Sequence, residues 1–392
     1  MSSDEFQDIR PFNDGEVPVV LDQLSRDPEL INAVIKLKYP ALLPWLGWLL
    51  RPLAGHFIRR QISGVHDVRS FQLVTEVYMQ DMIDSKCQGL SWSGIDSIDP
   101  QHPNLLISNH RDIAMDPALI NMVLHLQGMG TSRIAIGDNL LSRDWISKLM
   151  RVNKSFIVKR SLTAPRQMLA AFRQLSAYIR HSLEVDKSMV WIAQRQGRAK
   201  DGYDQTEPAM IKMLCMNKSK GESFADKVAA LRILPVAISY ELDPCDAAKA
   251  RELFLRESEG EYKKEEQEDI ASIAMGIAGE KGHVHVAFGE MLAGHYDTPE
   301  AVAEAMDQQI STLYVLHPTN YFAWKLLYGE YPEGIYGSDN IVFDISQLAE
   351  EERHFTARIN AIPKLHRPYA LANYANAIRR KKEFEVAAEK HV

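Results

Sequence analysis

His110 and Asp116 open the chemistry of this chain. They lie in the stretch LLISNHRDIAMDP (105 to 117), with five residues between them. An imidazole is the usual general base near neutral pH, and a carboxylate on its other ring nitrogen fixes the tautomer and stabilises the imidazolium that forms. Asp112 lies closer in the chain and competes with Asp116 as that partner. Three other readings use the same residues. His110, Arg111 and Asp112 spell the HRD of a kinase catalytic loop, but Pro117 stands where the metal-binding Asn would be, and neither a Gly-rich loop nor a DFG is present. His110, Asp112 and Asp116 are the right types to ligate a metal, but no second His or Cys lies at ligand spacing, so no metal is expected. A purely structural role is also open, with Asp116 capping a helix and His110 bonded to a buried carbonyl.

Two further stretches carry cations just after apolar runs. SFIVKRS ends in Lys159 and Arg160, a point charge and a planar fork suited to an anion such as phosphate. MVWIA leads into QRQGRAKDG, where Gln194, Arg195, Gln196, Gly197, Arg198 and Lys200 put long donors around a glycine. Alone, each reads equally as surface charge.

Placing such residues requires strands that end at one edge. Apolar runs without alternation suit a parallel sheet buried on both faces, where chemistry sits at the carboxyl ends of strands. The pattern predicts strands at Leu105 to Ser108, Arg133 to Gly137, Ser155 to Lys159, Met189 to Ile192, Ile233 to Ser239 and His283 to Phe288. A helix is predicted from Ala164 to Leu183. The fold class that follows is α/β, with a mixed, largely parallel sheet flanked by helices. Pro235 inside ILPVAISYE suits an edge position or a break in pairing better than a central ladder. Residues 65 to 90 read as an amphipathic helix ending near Gly89. The charged run EGEYKKEEQED (259 to 269) reads as a solvated face or surface insertion. Residues 1 to about 28 read as a polar tail.

From Tyr39 the chain reads YPALLPWLGWLLRPLAGHFIRRQ, too broken by Pro44, Arg51 and Pro52 to span a bilayer. Its tryptophans, leucines and flanking arginines suit a helical segment lying at a membrane surface, against the alternative of a hairpin docked on the protein's own core. Beyond Gly294 helices with aromatic-rich loops, HPTNYFAWKLLYG and PEGIYGSD, are expected. The divisions are therefore 1–89 as an N-terminal segment, 90–294 as the α/β domain and 295–392 as a helical extension. The chain has 392 residues, 46% hydrophobic, enough for a large core. A net charge of -7 argues against nucleic acid as the main partner. Three scattered cysteines and an acidic N-terminus without a signal-peptide pattern predict a cytoplasmic location.

The order NHRDIAMD, SFIVKR, QGRAKDG and LPVAISYE resembles the four blocks of the glycerophospholipid acyltransferase superfamily, which includes glycerol-3-phosphate and 1-acylglycerol-3-phosphate acyltransferases. The resemblance covers about residues 90 to 290, and the HR and YE wording is closer to the glycerol-3-phosphate branch. It implies His110 and Asp116 as the catalytic dyad and Arg160 as holder of the acceptor's phosphate, with Arg111, Lys159, Gln196, Gly197, Arg198 and Lys200 joining in substrate binding. It further implies an acyl thioester donor, acyl-CoA or acyl-carrier protein, and a glycerol phosphate or lysophospholipid acceptor. No cofactor is called for, and the protein would be peripheral on the cytoplasmic membrane. Two departures stand out. The family has four residues between His and Asp, where this chain has five, and it has Glu where Gln196 stands. A catalytically degenerate lipid-binding protein of the same fold is the alternative those departures leave open.

Overall fold

The structure is a computed structural model and describes residues 3–39, 42–141, 143–217, 221–265, 268–333, 337–338 and 341–389. Four helices lead in: α1 (Val17–Arg26), α2 (Pro28–Lys38), α3 (Leu43–Ile62) and α4 (Val68–Lys86). Then come β1 (Cys87–Ser93), β2 (Leu105–Ser108), α5 (Met115–Leu126), β3 (Arg133–Gly137), α6 (Asp144–Val152), β4 (Ser155–Val158), α7 (Pro165–Glu184) and β5 (Val190–Ala193). The chain continues through α8 (Pro208–Leu214), α9 (Phe224–Leu231), β6 (Ile233–Tyr240), α10 (Asp246–Glu259), α11 (Glu268–Ala278) and β7 (Gly282–Phe288). It closes with α12 (Pro299–Leu313), α13 (Pro318–Tyr328), a small ribbon of β8 (Gly337–Ser338) and β9 (Ile341–Val342), α14 (Ala349–Ala361) and α15 (Arg367–Glu389).

One sheet takes seven strands in the order β1-β7-β6-β2-β5-β3-β4. Its pairs are parallel except β6 with β7, so the sheet is mixed and largely parallel, as the apolar runs predict. β2 sits between β5 and β6, and its alternating side chains feed both layers. Leu105 and Ile107 join a core with Tyr178, Ile211 and Met306, while Leu106 joins the opposite core with Met82, Leu119 and Val123. Burial on both faces explains why this strand shows no polar alternation.

Several sequence expectations need correcting. β1 begins at Cys87 and runs through Gly89, so the helix before it ends earlier than expected; its mixed, half-buried residues hid it. β6 is a central strand rather than an edge, and Pro235 sits at a break in its pairing, the other arrangement its position allows. The Pro235 carbonyl accepts from Gly289 at 2.8 Å, and β7 pairing begins only at Val236, so the missing N–H falls where the ladder has already stopped. The N-terminal residues are no tail: Phe6 and Ile9 are buried, and the Ile9 carbonyl accepts from Ile157 of β4 at 2.8 Å. HPTNYFAWKLLYG is mostly α13 rather than a loop. Much of PEGIYGSD lies outside the described residues.

α2 and α3 pack on each other as a hairpin, with Asp27 capping α2 through the Glu29 and Leu30 amides. α3 leaves its apolar side open: Trp45 is 82% and Trp48 73% exposed, joined by Leu49 and Leu53. Among the described residues, no helix is long and apolar enough to cross a membrane.

Candidate active site

His110 leaves the carboxyl end of β2 and Asp116 sits in the first turn of α5, so the strand end and the helix start bring them face to face. The His110 Nδ1 to Asp116 Oδ2 distance is 2.8 Å. The five-residue spacing is absorbed by a tight loop whose backbone turns inward: Arg111 and Asp112 amides donate to Asp116 Oδ2 at 2.7 and 3.0 Å. Asp112 points elsewhere, accepting from the Ala114 and Met115 amides at 3.0 and 2.9 Å. It serves the start of α5, while Asp116 faces the imidazole. Burial, followed by the nearby Asp116 charge, raises the Asp112 pKa.

Asp116 is fully buried, and its second oxygen accepts the Tyr240 hydroxyl at 2.8 Å. Burial first and the Asp116 charge second hold the Tyr240 phenol well above its ordinary range, so it stays a donor. Asn109 fixes the loop from behind. Its side chain donates to the Ile238 carbonyl at 2.9 Å and accepts the Ile238 amide at 2.8 Å, stapling β2's exit to β6. The His110 carbonyl accepts from Ala199 at 2.9 Å, which ties the third block to the first.

With Nδ1 directed at Asp116, Nε2 makes no hydrogen bond among the described residues. His110 lines a groove of about 560 Å³ that runs along α4 and α5. Met79, Met82, Met115, Met122, Ile134 and Leu149 give it an apolar wall. From Met115 to His125, both on the groove, α5 spans about 15 Å at its 1.5 Å rise per residue. Arg160, Arg195, Gly197, Arg198, Lys200 and Lys264 also line it. An apolar channel lined in part by cations suits a ligand with a hydrocarbon part and an anionic part.

The residues singled out from the sequence divide into two groups. Arg160, Gly197, Arg198 and Lys200 reach the groove with His110. Gly197 adopts a φ of +77°, the left-handed turn that lets the loop fold back over the strand end. Arg111, Lys159 and Gln196 do not line it. Arg111 turns into the protein, pairing with Asp204 at 2.7 Å and donating to the carbonyls of Gly202 and Asn373 at 3.1 and 3.3 Å. Burial opposes its charge, but Asp204 and Tyr314 outweigh that and raise its pKa. Lys159 pairs with Asp8 of the N-terminal segment. The Gln196 side chain is exposed.

Another carboxylate, eleven residues further on, lies against the Gln196 backbone. Glu207 accepts the Gln196 amide at 3.3 Å, and its charge acts on Arg160 together with that of Asp138, against the burial that lowers the Arg160 pKa. Asn109, Tyr240, Asp204 and Glu207 are the residues sequence reasoning missed. Tyr240 had a signal in the YE that closes the fourth block; Glu207 had none, because its link to Arg160 exists only in three dimensions. The charged run 259 to 269 also does more than face solvent, since Lys264 and Asp269 line the groove. Among the described residues, no group of three or more His, Cys, Asp or Glu side chains is placed to hold a metal ion.

A search of curated proteins gives no match. Among solved structures, the 1-acyl-sn-glycerophosphate (LPA) acyltransferase PlsC from Thermotoga maritima is similar at 13% identity and a TM-score of 0.35, over 76% of this chain and 97% of that one. The family model described as Acyltransferase matches residues 90–239, from β1 through Ser239 of β6, and so spans all four blocks with His110, Asp116, Arg160 and Arg198. Residues 90–239 are therefore similar to the acyltransferase family, and the four blocks they contain are the ones that resemble glycerophospholipid acyltransferases.

Proposed function

We propose that the protein transfers a fatty acyl group from an acyl thioester, acyl-CoA or acyl-carrier protein, to a hydroxyl of a glycerol phosphate or lysophospholipid. The observation that carries this reading is the 2.8 Å contact between His110 and buried Asp116, with His110 and Arg160 both lining one apolar groove. In the reaction, the acceptor oxygen attacks the thioester carbonyl carbon while its proton passes to His110 Nε2. The new C–O bond forms, the C–S bond breaks, and the proton is returned to the departing thiolate. Asp116 holds the ring by Nδ1 and stabilises the imidazolium. Arg160, backed by Glu207 and Asp138, fixes the acceptor's phosphate and turns a bimolecular encounter into an aligned one. The methionine-rich wall of the groove takes the acyl chain.

Lipid substrates and products give the open face of α3 a role. Trp45, Trp48, Leu49 and Leu53 are exposed together, with Arg59 and Arg60 in the last turn of the helix. Apolar bulk and tryptophans next to arginines suit insertion into an anionic bilayer surface, which supports a peripheral location on the cytoplasmic membrane as part of this proposal.

His110→Ala tests the central step. Thioester-dependent acylation of glycerol 3-phosphate and its 1-acyl form should fall by at least about 10²-fold, the range of general-base catalysis, while circular dichroism stays that of the wild type. Full retained activity would sink the mechanism. A wild type that binds lipid but never turns over any thioester would favour the degenerate lipid-binding reading, which Gln196 motivates and Glu207 weakens.

A further inference from the structure

We infer that Lys249 is a positioning residue for the dyad: it grips the carbonyl of a peptide unit whose N–H holds Asp116, and Asp243 and Asn373 set it in place. This rests on the acyl-transfer reading and adds to it groups from beyond residue 239, where the family match ends.

Asp116 Oδ2 accepts from two backbone amides, and each amide is one side of a planar trans peptide unit whose carbonyl points the opposite way. The first unit joins His110 to Arg111. Its N–H donates to Asp116 at 2.7 Å, and its carbonyl accepts from the Ala199 amide at 2.9 Å. The second unit joins Arg111 to Asp112. Its N–H donates to Asp116 at 3.0 Å, and its carbonyl accepts from Lys249 Nζ at 2.7 Å. Gripping either carbonyl fixes the direction of the N–H across the plane. The two grips differ in kind, since Ala199 offers a neutral amide and Lys249 a charged ammonium, the stronger donor. Away from water, a donor on the carbonyl also polarises the N–H and strengthens the bond that it gives. A line of bonds therefore runs from Lys249 through one peptide to Asp116, and from there to His110 Nδ1.

Every member of this line is held. Lys249 of α10 is 2% exposed and pairs with Asp243, just past the end of β6. Burial works against the Asp243 carboxylate, but Lys249 and then the Asn373 side chain outweigh it and hold its pKa below the ordinary value. Asn373 of α15 donates to Asp243 Oδ2 at 2.8 Å, and its own carbonyl and Oδ1 accept from Arg111 Nη1 at 3.3 and 3.4 Å. Arg111 is thus fixed at its backbone and at its guanidinium. Asp204 takes that guanidinium at 2.7 Å and the Asn109 side chain at 3.1 Å, so the residues on either side of His110 share one carboxylate. α15 presses on this loop so closely that a Cβ on Gly202 would lie 2.1 Å from the Asn373 carbonyl oxygen.

Stability alone is a poor reason for a lysine here. Both Lys249 and Asp243 give up water, and an apolar pair of similar volume commonly serves a fold as well as a buried ion pair does. What the ion pair adds is a charged donor aimed at one carbonyl, and that carbonyl belongs to the peptide that holds the carboxylate of the dyad.

The test uses two variants, Lys249→Met and Lys249→Met combined with Asp243→Asn, measured for kcat, for the KM of donor and acceptor, and for the urea midpoint. Methionine fills the lysine's space without a donor, and it strands the Asp243 carboxylate, so the midpoint should fall. Asp243→Asn removes the stranded charge and keeps an oxygen for the Asn373 amide, so the midpoint should largely recover. The expected kcat is about tenfold below wild type in both variants, the scale of one charge-assisted hydrogen bond, with both KM values unchanged. A kcat that returns together with the midpoint makes Lys249 purely structural and overturns the inference. So does an unchanged kcat, a loss confined to KM, or a double variant that fails to fold. Each of these leaves the acyl-transfer reading standing, because the wild type still turns over. A wild type without turnover on any thioester removes that reading, and the inference with it.

Discussion

At Asp116 four donors converge on one buried carboxylate: His110, two backbone amides and the Tyr240 hydroxyl. Three of them share Oδ2, and among the described residues Tyr240 alone serves Oδ1. A carboxylate held on both oxygens is restrained from rotating away from the imidazole, so under the proposed mechanism Tyr240 is a positioning residue. Tyr240→Phe should lower kcat by about tenfold with both KM values little changed, and lower stability by about 1.5–3 kcal/mol, the range for a hydrogen bond to a charged group. Steady-state kinetics and urea denaturation check this together. A stability loss with kcat untouched would make the tyrosine purely structural.

Among the elements, α3 presents the clearest mismatch between pattern and packing. Its apolar residues are real, but the protein's own core covers little of them; Gly47 and Gly55 are its buried positions. Covering this face by a bilayer removes apolar surface from water at about 25 cal/mol per Å². Wild-type protein should therefore co-sediment with vesicles containing anionic lipid, and Trp45→Glu with Leu49→Glu should abolish that while leaving turnover of a water-soluble acceptor intact. A wild type that stays wholly in the supernatant contradicts the membrane role. The same helix shows why sequence could only pose the question: hydrophobicity predicts a buried face and is silent on what buries it.

Over the whole molecule, the C-terminal helices close the back of the site. Asn373 of α15 meets Arg111 beside the dyad and Asp243 at the end of β6, while Lys249 donates to the Arg111 carbonyl at 2.7 Å. Global stability should also carry a signature from the β1 and β7 edge. His285 is bonded to Ser91 and Ser93, and His317 to Ser239. Burial first, with His283 adding to it, lowers their pKa values to about 4 and about 3. Unfolded histidines titrate near 6.5, so below that pH the unfolded chain binds protons that the folded one refuses. The folded state thus keeps its full stability above about pH 6.5 and loses it progressively, down to about pH 4 through His285, on the order of 3 kcal/mol for that residue alone, and on to about pH 3 through His317. Urea midpoints should fall over that window, and His285→Gln with His317→Gln should flatten the fall. An equally steep profile in the double variant would reject this origin.

By itself the sequence determined the six apolar strands, the mixed and largely parallel sheet and the pairing of chemistry with strand ends, because these depend on local periodicity and burial. It also marked His110, Arg160 and Arg198, whose positions follow from lying just past a strand. It left the partner of His110 open between Asp112 and Asp116, and only the loop's inward amides decided for Asp116. Tertiary structure alone turned Arg111 away from the groove, set the Glu207 carboxylate against the Gln196 backbone, and brought Lys264 from a charged run to the groove that His110 lines. The physical reason is the same in each case. A charge's role depends on which opposite charges and cavities lie within a few ångströms, and those neighbours come from elements far away in the chain.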